Sequence, residues 1–183
     1  MKDIGTITLE TERLILRKLT VADADEAYKN WTSDEQTAKY MTWDVHENVE
    51  VTRGLFKIWE EEYNNAYTYR FIVYSKEFKE LIGTIDLVNK NIKEKTGEIG
   101  YFYGSKYWGN GYATEALDKV LNFLLNDVGF YLIEAKHFVT NKASGRVMEK
   151  CGMKYEATLR KRYFDKLIND RVDIKVYSKT KND

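Results

Sequence analysis

The chain has no proline, one cysteine and no excess charge of either sign. At the usual frequency near 5%, about nine prolines would be expected at this length. A single cysteine excludes an intramolecular disulfide framework and any zinc or iron–sulfur site built on several cysteines. With 29 Lys and Arg against 29 Asp and Glu, the surface lacks the basic excess of generic phosphate-backbone binders, so no nucleic-acid partner is expected. No apolar run approaches the roughly 20 residues that span a bilayer. The opening Met-Lys-Asp-Ile-Gly-Thr lacks a signal-peptide stretch, so no membrane partner is expected either. What is present is 43% hydrophobic and 14% aromatic residue content, over a length ample for a hydrophobic core. No repeat, low-complexity tract or Gly/Ser-rich linker divides the sequence. Residues 1–183 are therefore expected to form one cytoplasmic globular domain.

Residues 13–19 alternate as a strand with Leu14 and Leu16 on one face. Thr20-Val-Ala-Asp23 reads as a capping box that opens a helix to about Trp31. A polar stretch with Tyr40, Met41 and Trp43 leads to a second helix over roughly 47–64, where Val51, Leu55, Ile58 and Trp59 keep the helical period. Strands are expected at 69–74 and 81–88, followed by a charged turn over 89–96. Residues 98–103 form a strand with Glu98, Gly100 and Phe102 on one face. Ala113, Ala116, Leu117, Val120, Leu121 and Leu124 then mark a one-face helix between Gly111 and Gly129. Residues 132–139 are a strand, Asn141 is an N-cap, and a helix runs to Cys151 with Gly152 after it. Residues 153–164 and 171–178 are the last strands. The order implies an α+β fold with a mixed sheet, in which strands 98–103 and 132–139 are parallel and joined by a right-handed helical crossover.

The segment Trp108-Gly109-Asn110-Gly111-Tyr112-Ala113 joins a strand to a helix. Two glycines allow close backbone approach, and a helix start leaves N–H groups unpaired at the positive end of its dipole. Such a turn suits a phosphate or pyrophosphate. It is not a Walker A loop, having no Gly-Lys-Ser/Thr, nor a Rossmann fingerprint, since Thr114 occupies the third-glycine position. An ordinary strand–helix turn that needs glycine for geometry is the competing reading.

Over almost its whole length the sequence resembles the GNAT superfamily of acyl-CoA-dependent N-acetyltransferases, and within it the ribosomal-protein-alanine N-acetyltransferase branch. The resemblance is carried by Glu10-Thr-Glu-Arg-Leu-Ile-Leu-Arg17, Ile82-Gly83, Glu98-Ile-Gly-Tyr101, Tyr107-Trp-Gly-Asn-Gly-Tyr-Ala-Thr-Glu-Ala116, Asn141-x-x-Ser144 and Glu149-Lys-Cys-Gly-Met153. The family's pyrophosphate loop, Arg/Gln-x-x-Gly-x-Gly/Ala, is matched at Gly111 and Ala113, whereas Trp108 holds the Arg/Gln place. The resemblance implies a GNAT-like, mostly antiparallel sheet of about seven strands, helices on both faces, and a splayed parallel pair at its fourth and fifth strands. It further implies acetyl-CoA as co-substrate, with no metal. The backbone of Gly100, Tyr101 and Phe102 would bond the pantetheine arm, and the segment Trp108, Gly109, Asn110, Gly111, Tyr112, Ala113 and Thr114 would hold the pyrophosphate. Relatives often carry proline just before the Tyr-Trp-Gly loop and after the Asn of Asn-x-x-Ser. Here Gly104 or Ser105, and Lys142, stand there, which leaves these entry turns less restricted.

Acetyl transfer to an amine requires the amine to lose a proton, the leaving thiolate to gain one and the oxyanion to meet a fixed donor. The resemblance implies that Ser144 protonates the thiolate and that the 98–103 strand supplies the oxyanion donor. On its own residues, Ser144 shares a helical stripe with Val147, Met148 and Cys151, which also suits simple packing. Asn141 is an N-cap by position and a pantetheine contact by resemblance. Glu98 is the best-placed carboxylate for a general base, with an edge-of-sheet residue paired to a lysine as the alternative. His46 and His137 read as structural, and Cys151 as a buried apolar residue, which points to direct transfer in a ternary complex.

The family's acceptor regions contain Tyr40, Trp43, Trp59, Tyr63, Tyr163 and Phe164 here, able to line a peptide groove or to fill core. Arg160-Lys-Arg162 reads as a solvated strand face. The expected function is transfer of acetyl to a primary amine, with a protein N-terminus as one acceptor class. The alternatives are a small-molecule amine (amino acid, polyamine or antibiotic) and a non-catalytic acyl-CoA-binding domain. Homodimers are frequent among such relatives, but no stripe in this sequence marks an interface.

Overall fold

The computed structural model describes residues 1–39, 41, 43–166 and 168–183. Among these, eight strands form: β1 (Leu9–Glu10), β2 (Leu14–Arg17), β3 (Arg70–Ser75), β4 (Glu80–Asn91), β5 (Thr96–Tyr103), β6 (Leu132–Phe138), β7 (Lys154–Asp165) and β8 (Asp170–Thr180). The α-helices are α1 (Ala24–Ala27), α2 (Glu35–Ala38), α3 (Val49–Glu61), α4 (Tyr112–Asn122) and α5 (Lys142–Lys150). The chain makes two compact units, one of residues 3–86 and 101–116, the other of residues 1–2, 87–100 and 117–183.

In the first unit the strands run in the order β1-β2-β3-β4, each antiparallel to the next, with a bulge at Val73/Tyr74. Thr20 opens the helical segment as its sequence suggests, its N–H donating to Asp23 Oδ2 at 2.8 Å. The segment does not stay α-helical: a 3₁₀ turn precedes α1, and a π-helical turn over Tyr28–Thr32 follows it. Leu19, Ala24, Ala27, Trp31, Phe56, Ile72 and Leu81 make the core of this unit, with Trp59, Tyr63, Tyr74 and Phe102 packed on it.

Helix α3 is rolled away from the stripe its sequence suggests. Asn48 caps it, accepting from the Glu50 N–H at 3.0 Å. Thr52 and Phe56 are buried, whereas Val51 and Ile58 are 46% and 59% exposed. The reason is polar. Thr52 Oγ1 lies 2.7 Å from Thr32 Oγ1 and 2.8 Å from His46 Nδ1, a buried network that a purely apolar period does not register.

In the second unit the order is β4-β5-β6-β8-β7. The β5–β6 pair is parallel, with register from Thr96↔Leu132 to Ile99↔Ala135, while β6–β8 and β7–β8 are antiparallel. Leu117, Val120, Leu121 and Leu124 of the expected one-face helix are all buried. Helix α4 gives way to a π-helical turn over Phe123–Val128 and ends at Gly129, whose φ is +95°. The β7–β8 hairpin carries Arg160, Lys161 and Arg162 on an exposed, bulged edge, the solvated face expected of them. Charge and a bulge on an edge strand discourage pairing with other chains.

A buried charge in the first unit makes stability depend on pH. Arg70 and Asp86 face each other across β3 and β4, with Nε and Oδ2 3.4 Å apart. Asp86 Oδ1, Thr84 Oγ1 and Arg70 Nε are buried with no hydrogen-bond partner among the described residues. The Arg70 guanidinium is shared with Glu62 and lies 4.2 Å over the Trp59 ring. Burial pushes the Asp86 carboxyl up to about 6, against the pull of Arg70. A group raised in the folded state favours folding in its protonated form, and that contribution is lost as pH climbs from about 4 toward about 6. Asp86→Asn should therefore gain stability relative to the parent between pH 4.5 and 7, by an amount of order 2 kcal/mol. Paired urea melts across that range check this; a stability difference independent of pH would contradict it.

Candidate active site

In the first unit, the turn from β5 into α4 is tied down at each step. The Ser105 N–H donates to Asp34 Oδ2 at 2.9 Å, and the same aspartate caps α2 through the Gln36 N–H. Proline at position 105 would forfeit this donor, so the entry turn is fastened rather than loosened by serine. Lys106 Nζ reaches Asn30 Oδ1 and Glu80 Oε2, each at 3.0 Å, and the Tyr107 hydroxyl donates to Glu80 Oε2 at 2.7 Å. The Trp108 indole N–H folds back onto the Tyr103 carbonyl at 2.7 Å, while 46% of the residue stays exposed. Asn110 Nδ2 donates to the Tyr107 and Trp108 carbonyls, closing the bend.

Gly109 and Gly111 both have φ of +81°, the left-handed region that favours glycine. Around Gly109 the space a side chain would occupy is open. The Glu115 N–H bonds to the Gly111 carbonyl at 3.1 Å, so the Tyr112 and Ala113 amides lie ahead of the first α-helical bond at the positive end of α4. Trp108 to Gly111 are exposed. The exposed bend thus leads directly into a helix start, with Ala113 partly exposed and Tyr112 buried, and an open helix start of this kind favours an anion.

Arg13, which the loop motif does not include, holds this turn from the other side. Its guanidinium grips Glu115 through Nε at 2.7 Å and Nη2 at 2.6 Å, and its Nη1 donates to the Asn110 carbonyl at 3.0 Å. The Arg13 N–H and the Thr11 hydroxyl complete the set of donors on Glu115. Burial works to raise the Glu115 carboxyl, but these hydrogen bonds and the guanidinium hold it below the ordinary value. The only sign in the sequence was that Glu-Arg and Thr-Glu each fell within a matched motif, about a hundred residues apart.

The remaining expected residues divide between the units. Tyr101 and Phe102 belong to the first, with Phe102 on the core and 5.5 Å from the Trp43 ring. Gly100, Glu98, Asn141 and Ser144 belong to the second. Glu98 Oε2 accepts from Lys136 Nζ at 2.8 Å and from Asn89 Nδ2 at 3.0 Å, and it borders a cavity of about 440 Å³ that Glu134 also lines. The lysine partner of the edge-of-sheet reading is present, and the residue also lines this cavity. Asn141 caps α5, its Oδ1 accepting from the Ser144 N–H at 3.2 Å. The loop before it is anchored by Thr140 Oγ1 donating to the buried Asp165 at 2.7 Å. Along α5, Met148 and Cys151 are buried, whereas Ser144 and Val147 are partly exposed, so the serine sits at the accessible end of its stripe.

Three residues take structural places. His137 is buried, its Nδ1 2.8 Å from the Phe138 carbonyl, and burial lowers its pKa. His46 is bound to Thr52, and burial lowers its pKa as well. Burial pushes the Cys151 thiol up to about 12, which removes it as a nucleophile near neutral pH. Of the aromatic acceptor set, Tyr40 lies outside the described residues. Trp59 and Tyr63 pack on the core, and the Tyr63 hydroxyl links the Leu19 N–H to the Arg70 carbonyl. Tyr163 and Phe164 are exposed at 42% and 56%. Among the described residues, no cluster of three or more His, Cys, Asp or Glu is arranged to hold a metal ion, and no helix is long and apolar enough to cross a membrane.

The family model of the acetyltransferase (GNAT) domain matches residues 13–154, and the chain belongs to that family. The uncharacterized N-acetyltransferase YoaA of Bacillus subtilis strain 168 is 34% identical over 152 residues, 83% of this chain and 85% of its own. A GNAT-family acetyltransferase from Bacillus anthracis has a similar structure, with a TM-score of 0.82 at 29% identity, covering 97% of this chain and 100% of that one. The ribosomal-protein-S5-alanine acetyltransferase of Vibrio fischeri shares the fold, with a TM-score of 0.85 at 20% identity over 97% of this chain and 98% of its own. The protein is an acetyltransferase with the mixed α+β GNAT fold, from a family that uses acetyl-CoA.

Packing of α5 supplies a direct test of how Ser144 is held. A Cβ on Gly145 would lie 2.6 Å from His137 Nε2, far inside van der Waals contact. Gly145→Ala should cost about 1–3 kcal/mol by overpacking, seen as a lower urea midpoint at unchanged slope. Parental stability in this variant would mean that the His137 ring does not fix the helix.

Proposed function

We propose that the protein transfers acetyl from acetyl-CoA to a primary amine, directly within a ternary complex, with a protein N-terminus as the acceptor. The observation that carries the cofactor half of this reading is the exposed turn with two left-handed glycines at the start of α4. Its amides from Gly109 to Ala113 fit a pyrophosphate without any cationic side chain at position 108. Trp108 takes no part through charge; its indole is committed to the Tyr103 carbonyl. When bound, acetyl-CoA supplies an activated thioester.

The chain's own groups take the remaining roles. The backbone of Gly100, Tyr101 and Phe102 hydrogen-bonds the pantetheine arm, and a backbone N–H of that strand meets the oxyanion. Ser144, partly exposed next to its cap Asn141, donates the proton that the leaving thiolate needs. Glu98, beside open space and held by Lys136, passes the amine's proton toward solvent. Direct transfer is favoured because the single cysteine has its thiol pushed up to about 12 and is buried, so no acetyl-cysteine forms. A protein acceptor is favoured because Tyr163 and Phe164 stand exposed on the long β7–β8 hairpin, a surface suited to a chain rather than to a small enclosed amine.

The test pairs binding with turnover. CoA should raise the melting temperature of the protein, and thiol release from acetyl-CoA should proceed with peptides bearing a free N-terminus in preference to amino acids, polyamines and aminoglycosides. Ser144→Ala should keep the CoA-induced shift and lose about 100-fold in turnover. Tight CoA binding with no turnover on any amine would favour a binding domain instead. Faster turnover on a small amine would reassign the acceptor, and full activity in Ser144→Ala would return that serine to packing.

A further inference from the structure

The α4 start presents a contradiction. An anion-binding helix N-terminus should be free of fixed negative charge, yet Glu115 sits in its first turn. A carboxylate there satisfies the helix dipole by itself and repels any phosphate brought to the same amides. Its side chain is partly buried and held in the charged form, so it is not removed by protonation near neutral pH. No cationic side chain stands at the start of the loop either, because Trp108 holds that position.

We propose that Arg13 is the positioning residue that makes this turn an anion site, by cancelling the charge of Glu115 and by pinning the Asn110 carbonyl away from the ligand face. This inference rests on the acetyl-CoA reading above and deepens it. The geometry fits both parts. Nε and Nη2 form a two-point fork on Glu115 Oε2, while the Arg13 N–H takes Oε1, so the carboxylate is turned toward β2 and its charge is met on that side. Nη1 meanwhile takes the Asn110 carbonyl, the peptide oxygen lying between the two left-handed glycines. A carbonyl pulled back in this way leaves the neighbouring N–H groups as the outward-facing dipoles. The guanidinium also lies 4.7 Å over the Tyr112 ring, and Tyr112 is the first residue of α4. Its Nη2 lies 3.5 Å from where a Gly111 side chain would begin, at ordinary contact distance. One residue thus touches Asn110, the Gly111 position, Tyr112 and Glu115.

The charge part gives a sign that a merely structural clamp would not. Removing Arg13 alone leaves Glu115 uncompensated beside the bound pyrophosphate; removing both charges restores neutrality but breaks the clamp further. CoA affinity is measured by isothermal titration for the parent, Arg13→Gln, Arg13→Lys and the Arg13→Gln/Glu115→Gln double variant, each with its ligand-free melting temperature. Arg13→Gln should weaken CoA binding at least about tenfold, the double variant should recover most of that loss, and Arg13→Lys should stay within a few-fold of the parent. Glu115→Gln carries the test if Arg13→Gln does not fold: with the carboxylate gone and the cation kept, it should bind CoA at least as tightly as the parent, and weaker binding would overturn the proposal. Parental affinity in Arg13→Gln, a double variant no tighter than Arg13→Gln, or an Arg13→Lys as weak as Arg13→Gln would overturn the proposal. Absence of CoA binding in the parent would instead overturn the acetyl-CoA reading itself.

Discussion

Between β5 and α4 the backbone must turn left-handed twice within three residues and still enter a helix at Tyr112. A free peptide of this composition would not hold that shape, since glycine carries the largest backbone entropy to lose. The fold holds it by attaching neighbouring residues to elements distant in sequence. Asp34 takes the Ser105 N–H, Glu80 takes Lys106 and Tyr107, and Arg13 takes Asn110 and Glu115. The glycines are left to supply conformation, and the polar side chains around them supply rigidity.

On the proposed function, this division agrees with the balanced charge of the chain. Affinity for the pyrophosphate would fall to oriented amides in one turn, where fixed dipoles need no net positive surface. The cations near the turn are already matched: Lys106 to Glu80 and Arg13 to Glu115. Exposed ion pairs of this kind contribute little to stability on their own. Their value here lies in geometry: Arg13 also holds the Asn110 carbonyl, and Glu80 ties the side chains of Lys106 and Tyr107 to the start of β4.

Much of this was legible in the sequence. The one-face period from Ala113 to Leu124, the Asn141 cap, the closing Gly152 and the two glycines after Trp108 all act locally, within a turn or two of helix, and local patterns report local causes. The family was legible for a related reason, because its motifs are short segments at the right spacings. What the sequence hid was long-range and polar. The exposed side of α3 departs from its apolar period because Thr52 is drawn inward by Thr32 and His46 rather than by hydrophobicity. The role of Arg13 was invisible because its partners lie about a hundred positions away, and nothing in either motif states that they meet. The short strand β1 and helix α2 escape a periodic reading because elements of two and four residues have no period. The lost proline at the loop entry suggests added freedom, yet the Ser105 N–H is a bonded donor.

The most direct measurement is a CoA titration of ¹⁵N-labelled protein followed through its backbone amide resonances. If the turn holds the pyrophosphate, the amides of Gly109, Gly111, Tyr112 and Ala113 should move together, downfield, and further than those of the rest of α4. A titration in which CoA binds while these amides stay in place would put the pyrophosphate elsewhere on the protein and contradict the assignment of this turn as its site.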